Sequence, residues 1–390
     1  MSNLMVIDEE EQTRVPFLRG ILTRSLQNAG LAFDDSYRLA NEVRDELGDA
    51  AEITNVELRS RIRLRLRGLD PQIAEQYDNV LGSVESMLVR SPDGDTSPYS
   101  RGRQRLDLLS SGLTPDEAAG IVAELFRTLN ERGEVEIDAG RLCELTHETI
   151  ERELGGKAAS RYMVWQDHEA SDRPLLVLVG GTVGTGKSTI STELARRLGI
   201  VRIQSTDMLR EVMRSLVPEQ LLPALFQSTY TAWQALPATE QDAEPSDSLL
   251  ADGYLSQSEP VSLAYQAVVQ RALKERVSLI LEGVHVHPAW LSQIPRETDA
   301  IVVPLMLAVL SRKQLRKRIK GRGRRAPDRR AERYLSNFDA IWQLQSFLLS
   351  EADHAGIPIV FNEDKDATVQ QAMFAVLRVL SQSAAGADTG

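Results

Sequence analysis

From Pro174 onward, short runs of leucine and β-branched residues alternate with stretches in which apolar positions recur every three or four residues. That pattern predicts strands separated by amphipathic helices. The strand candidates are 175–179, 201–204, 277–281, 300–307 and 357–361. Helical stretches separate them, so the sheet is expected to be parallel and covered by helices on both sides. Before residue 154 helical periodicity dominates, interrupted by two short segments, Glu52-Ile53 and Glu136-Ile137. The irregular stretch 154–173 marks a domain boundary.

The first half also repeats itself. Arg19-Gly20 and Gly30-Leu31 recur as Arg101-Gly102 and Gly112-Leu113, each displaced by 82 positions. Each Gly-Leu is followed by an acidic helix start, Phe33-Asp34-Asp35-Ser36 in one copy and Thr114-Pro115-Asp116-Glu117 in the other. Two helical modules are therefore expected, over 10–90 and 100–155, with 91–100 as a linker and an α/β domain over 172–382. The second copy lacks an entrance like Val15-Pro16-Phe17 and the pair Thr23-Arg24, with Gln104-Arg105-Leu106 near the equivalent place. The acidic segment 237–248 has no apolar periodicity and reads as a loop, and residues after 382 read as a frayed tail.

Chemistry enters at the end of the first α/β strand. Gly181-Thr182-Val183-Gly184-Thr185-Gly186-Lys187-Ser188-Thr189 satisfies the phosphate-loop pattern and opens a helix. Its glycines let backbone N–H groups converge on phosphate oxygens, and the helix N-terminus adds partial positive charge. Lys187 is placed to reach the β- and γ-phosphates of ATP, and the Ser188 hydroxyl to ligate Mg²⁺. The next strand ends at Ser205-Thr206-Asp207, on the sheet edge where open α/β proteins bind ligands. Asp207 suits a metal-bound water, the acceptor hydroxyl's proton, or a helix N-cap. Arg210 and Arg214, spaced i,i+4, share a helix face suited to an anionic acceptor or to solvent. The third strand runs into Glu282-Gly283-Val284-His285-Val286-His287. Glu282 is a candidate for orienting metal-bound water or binding the acceptor. His285 is a candidate acceptor contact, and with His287 it admits either a metal pair or simple edge exposure.

After the fourth strand the chain turns basic, from Arg312 to Arg325. Arg322, Arg324 and Arg325, beside Gly321 and Gly323, resemble the arginine-rich lid that closes over the transferring phosphoryl in nucleoside-monophosphate kinases. Arg312, Lys313 and Lys317 suit a solvated helix face. The formal net charge is -11, which repels polyanions and argues against a general nucleic-acid or membrane binder. With 42% hydrophobic and 26% charged residues the 390-residue chain is an ordinary globular composition of more than one domain. Its one cysteine, Cys143, excludes an intramolecular disulfide framework and a cysteine-based zinc cluster. The acidic start carries no targeting pattern and no apolar run approaches the ~18 residues of a membrane span, so a cytoplasmic protein is expected.

Several of these segments together resemble the 2-phosphoglycerate kinase family of P-loop kinases. They are the opening Val15-Pro16-Phe17-Leu18-Arg19-Gly20, the phosphate loop, Ser205 to Arg214, Gly253-Tyr254-Leu255, Leu281-Glu282-Gly283-Val284-His285, and Arg333-Tyr334-Leu335-Ser336-Asn337-Phe338. The resemblance implies an adenylate-kinase-like, doubly wound parallel sheet ordered 2-3-1-4-5. It also implies an ATP-cone-like, mainly helical N-terminal region that can take an allosteric nucleotide, with Arg14, Arg19 and Arg24 as its candidate phosphate contacts. The activity implied is phosphoryl transfer from ATP to 2-phosphoglycerate, a small anionic metabolite. Two other classes stay open at this point: a nucleotide-sensing regulator, and an RNA-end kinase or RNA binder using the basic strip.

Overall fold

The computed structural model describes residues 4–8, 13–48, 51–70, 73, 74, 77, 87–132, 136–237, 246–291, 294, 299–325 and 331–387. The chain forms two compact units, Met1–Arg101 with Val122–Thr146, and Gly102–Ile121 with His147–Gly390.

The N-terminal half follows one path twice. Strands β1 (Met5–Asp8) and β2 (Thr13–Pro16) form an antiparallel pair, helices α1 (Arg19–Asn28) and α2 (Phe33–Glu46) follow, and β3 (Glu52–Thr54) returns parallel to β1 before α3 (Asn55–Leu69). Asp34 and Asp35 in the first turn of α2 complement the positive end of its dipole. Thr54 caps α3 by accepting from the Glu57 amide at 3.2 Å. Leu26, Leu39, Ile62 and Leu66 close a core around Ile53. The second pass runs through β4 (Leu88–Arg90), β5 (Thr96–Pro98), α4 (Arg101–Ser110), α5 (Pro115–Arg132), β6 (Glu136–Asp138) and α6 (Ala139–Leu154).

Strand register shows the correspondence. Met5 pairs with Pro16 and Glu52, and Leu88 pairs with Pro98 and Glu136. The segment 91–100, expected as a linker, is therefore largely a hairpin, closed by Ser91 N–H donating to Asp95 O at 2.8 Å. Strands of three residues carry too few apolar positions to display alternation, which is why composition alone made them look like linker. The hairpin also supplies the entrance that seemed missing: Tyr99 N–H donates to Met87 O at 2.8 Å just as Phe17 N–H does to Leu4 O. Ser97-Pro98-Tyr99 stands where the first copy has Val15-Pro16-Phe17. In the first copy Arg14 is ion-paired with Glu52, and Arg19 donates to Asn41 at 3.0 Å.

The stretch 154–173 is not irregular but helical, α7 (Gly156–Ser171), whose four inward positions, Ala158, Ala159, Tyr162 and Trp165, include two alanines that barely stand out from the polar residues around them. The elements after it are β7 (Leu175–Gly180), α8 (Lys187–Arg197), β8 (Arg202–Ser205), α9 (Thr206–Leu216), α10 (Asp247–Lys274) and β9 (Leu279–Glu282). Then come α11 (Pro288–Leu291), β10 (Ile301–Ala308), α12 (Arg312–Arg325), α13 (Ala331–Ser336), α14 (Phe338–His354), β11 (Ile359–Phe361) and α15 (Lys365–Ala387). All five strands are parallel in the order β11-β10-β7-β9-β8, the 2-3-1-4-5 order expected. Helix α10 begins inside the expected acidic loop, capped by Ser246; residues 238–245 of that loop lie outside the described residues. The expected tail continues α15 to Ala387, its alanines favouring helix.

Central strand β7 explains why the sheet reads as uninterrupted apolar runs. Leu175, Val177 and Val179 face a cluster containing Leu194 of α8 and Val376 of α15, while Leu176 and Leu178 face Val261, Tyr265 and Val269 of α10. With both faces dry, each buried leucine or valine contributes about 1.5–3 kcal/mol. The reward for this layering is positional, because every strand ends at the same edge. Among the described residues no helix is long and apolar enough to cross a membrane.

Candidate active site

The loop between β7 and α8 is held from three sides. Gly181, Gly184 and Gly186 have φ of 137°, 87° and 92°, a region closed to most side chains. A Cβ on Gly186 would stand 2.3 Å from Asn362 Nδ2, which donates to Thr185 O at 2.7 Å. Thr185 Oγ1 and Lys187 Nζ both donate to Thr182 O at 2.9 Å. The loop is thus a preformed cradle at a helix N-terminus, the geometry that receives phosphate.

The neighbouring strand ends bring carboxylates to this cradle. Ser188 Oγ donates to Glu282 Oε1 at 2.9 Å, an arrangement that turns the hydroxyl's lone pairs outward, as ligation of a cation requires. Asp207, in the first turn of α9, has a side chain 65% exposed. Arg210 is mostly buried on the same helix: its Nη1 donates to Gln227 O at 2.6 Å and its buried Nε has no protein acceptor. Burial lowers the Arg210 guanidinium pKa, with Asp207 and Glu211 opposing the shift.

His285 lies behind this wall, fully buried. Its Nδ1 is 3.0 Å from Thr206 Oγ1 and its Nε2 is 3.1 Å from Gln257 Oε1. Burial pushes the imidazole pKa down to about 4; Asp207 opposes this, and Arg210 and Lys187 add to it. Gly283 makes the approach feasible, since a Cβ there would sit 1.7 Å from Thr206 Oγ1. His287 faces elsewhere: its ring stacks on Phe347 and its Nδ1 accepts from Ala289 N–H at 3.1 Å. His285, expected as an acceptor contact, lines neither of the two cavities beside the loop, and both its ring nitrogens have partners within the protein.

Two cavities flank the loop. One of about 500 Å³ is lined by Asp207, Arg210, Ser228, Thr229, Tyr230 and Glu282 among others, and one of about 300 Å³ by Gly184, Gly186, Thr189, Arg318, Asn362 and Lys365 among others. Lys187 and Ser188 line both. A group held on one side can therefore pass to the other across these two residues. Val183 lines the larger cavity, whereas Arg214 lines neither, being paired with Glu211 at 2.7 Å with its guanidinium 5.0 Å from the Phe226 ring. Arg322, Arg324 and Arg325 continue α12 as helix rather than as a bent loop, and their side chains lie outside the described residues. Earlier in that helix Arg312 pairs with Asp339, Arg316 lies 4.7 Å from the Phe338 ring centre, and Arg318 donates to Asn362 at 3.2 Å, so three arginines of the basic strip have partners within the protein.

Sequence reasoning missed Arg318, Asn362 and Lys365 on one side and Tyr230 and Gln257 on the other. Asn362 was discoverable, since it directly follows β11 at the ligand-binding edge. Nothing local marks the others. As for Mg²⁺, no group of three or more His, Cys, Asp or Glu side chains among the described residues forms a protein cage. The Ser188 hydroxyl with phosphate oxygens and waters fits this small cation, which keeps much of its hydration.

Sheet order, phosphate loop and paired cavities define a P-loop phosphotransferase. A family model described as an AAA domain matches residues 176–341. The 2-phosphoglycerate kinase of Methanopyrus kandleri is 35% identical over 275 residues, 70% of this chain and 82% of that protein. Those of Pyrococcus horikoshii and Methanococcus maripaludis strain C5 are 32% and 31% identical, over 73% and 75% of this chain and 92% of each relative. The chain belongs to the 2-phosphoglycerate kinase family. It is a kinase of a family that uses ATP with Mg²⁺, and the cradle fits both.

Proposed function

We propose that the protein transfers the γ-phosphoryl group of ATP to the free hydroxyl of 2-phosphoglycerate, giving ADP and 2,3-bisphosphoglycerate. The observation that carries this reading is the pair of cavities meeting at Lys187 and Ser188, the larger one lined by the half-buried Arg210, whose Nε has no protein acceptor. ATP takes the smaller cavity, with its phosphates in the 181–189 loop. The acceptor takes the larger, where Arg210 and the hydroxyls of Ser228, Thr229 and Tyr230 face a molecule that carries both a phosphate and a carboxylate.

Mg²⁺, when bound, neutralises charge on the β- and γ-phosphates. The protein's own residues do the rest. Lys187 holds the transferring group, Glu282 keeps the Ser188 hydroxyl oriented, and Asp207 accepts the proton of the attacking hydroxyl. One oxygen–phosphorus bond forms to the acceptor as the bond to ADP breaks, and Arg322, Arg324 and Arg325 approach the spreading charge. Arg214 supports α9 rather than the acceptor. In the N-terminal half, a regulatory nucleotide is part of the same proposal.

The test is acceptor-stimulated ADP formation with 2-phosphoglycerate, 3-phosphoglycerate, glycerate or no acceptor, with the product identified by phosphorus NMR. Stimulation by 2-phosphoglycerate at least tenfold above the other acceptors is expected. Equal rates in all four would sink the substrate assignment.

A further inference from the structure

Three fully buried polar side chains outside the cavity walls have no place in the reaction just described: Thr206, Gln257 and His285. Buried polar groups persist where every donor and acceptor is matched, and here the matching has a single direction. Gln257 Nε2 donates to Ala224 O at 2.5 Å and to Gln227 O at 2.9 Å, which leaves its Oε1 as an acceptor. His285 must then carry its proton on Nε2, and its Nδ1 must accept from the Thr206 hydroxyl. The chain runs from the start of α9, through the turn after β9, to the middle of α10, across sequence separations of 79 and 28 residues.

Both ends adjoin residues that line the acceptor cavity. Thr206 precedes Asp207 in the first turn of α9. At the other end, the Gln227 carbonyl that receives Gln257 also receives Arg210 Nη1 at 2.6 Å. We propose that His285 is a positioning residue: bonded to Thr206 at one ring nitrogen and to Gln257 at the other, it fixes the start of α9 so that Asp207 and Arg210 face the acceptor. This rests on the acceptor site assigned above. It replaces a direct contact by His285 with an indirect role, and it gives Gln257 and Thr206 a purpose that no local pattern in the sequence suggested.

Thr206→Val keeps the shape and removes the donor, while Thr206→Ser keeps the donor. The full chain and both variants are assayed for kinetics with ATP and 2-phosphoglycerate, for thermal midpoint, and for hydrogen exchange over 206–216 without ligand. Loss of one buried hydrogen bond that orders reacting groups is expected to lower kcat/KM for the acceptor by about 10- to 100-fold in Thr206→Val. The KM for ATP should stay within about twofold, and exchange over 206–216 should quicken while the core stays protected. Thr206→Ser should recover both readouts. The inference is overturned if Thr206→Val leaves exchange and acceptor kinetics unchanged, if ATP and acceptor parameters fall together, or if Thr206→Ser is as impaired as Thr206→Val. Should the unaltered chain ignore 2-phosphoglycerate, the substrate reading fails by itself. Exchange over 206–216 then decides the inference alone: quickened in Thr206→Val and restored in Thr206→Ser supports it, and any other pattern overturns it.

Discussion

Gly186→Ala tests whether the phosphate cradle is held by its contact with the end of β11. Two costs add at this position. An alanine at φ 92° is strained by about 1–3 kcal/mol. Its Cβ would also press within 2.3 Å of Asn362 Nδ2, and that amide cannot swing away freely. Asn362 is 5% exposed, donates to Thr185 O at 2.7 Å and accepts from Arg318 at 3.2 Å, so displacing it forfeits a buried hydrogen bond worth about 1–3 kcal/mol. Together these give about 2–6 kcal/mol, or a fall in Tm of roughly 4–24 °C for a domain of this size. Gly199→Ala is the internal control, since Gly199 has φ 64° with nothing within 4 Å of its added Cβ and carries strain without collision. Differential scanning fluorimetry of the two variants, with ATP titrations, separates the terms. Gly186→Ala is expected to fall further and to weaken ATP by at least about tenfold, on the scale of a misplaced phosphate contact. Equal Tm shifts with ATP affinity intact would show that Asn362 does not clamp the loop.

Lys187→Ala is expected to reduce kcat by about 100- to 1,000-fold with Tm little changed, the scale for losing one preorganised group on a transferring phosphoryl; steady-state ADP release checks it. Arg210→Ala should lower acceptor kcat/KM by roughly 10- to 100-fold, the scale of a charge-assisted hydrogen bond, while Arg214→Ala should have a much smaller effect. Equal losses would mean that the partnership of Arg214 with Glu211 and Phe226 does not hold in solution. Asp107 in α4 supplies a pH test: burial, with Glu169 adding and Arg103 opposing, pushes its carboxyl up to about 6. Its folded pKa lies above the unfolded value, so its charge costs stability above about pH 6 and the cost disappears as pH falls towards 4. Asp107→Asn should therefore raise stability by about 3 kcal/mol at pH 8 and by almost nothing at pH 4, from two units at 1.36 kcal/mol each, read as Tm across pH.

Local grammar carried much of this protein. The central strands of the α/β sheet and the glycine loop after the first were legible because a strand buried on both faces, as β7 and β9 are, must be apolar throughout, and a phosphate cradle must use glycine. The ends of those strands located Ser188, Asp207 and Glu282, since a parallel sheet sends every strand to one edge. The doubled N-terminal path was legible only in outline. Its three-residue strands are too short for periodicity, and 91–100 became a hairpin only through pairing of Leu88 with Pro98 and Glu136. Helix α7 was hidden for a different reason: two of its four inner positions are alanines set among polar residues. What sequence could not supply was the direction of side chains that meet across long separations. His285 looked like an edge histidine until Thr206 and Gln257 closed on its two nitrogens, and Arg210 and Arg214 looked equivalent until Glu211 and Phe226 took one of them. Asn362 stands 177 residues from the carbonyl it holds, a contact that exists only once the sheet has assembled. Residue type and spacing determined which chemistry was available; packing between distant segments decided which atoms perform it, because a hydrogen bond depends on ångström distances that no local pattern encodes.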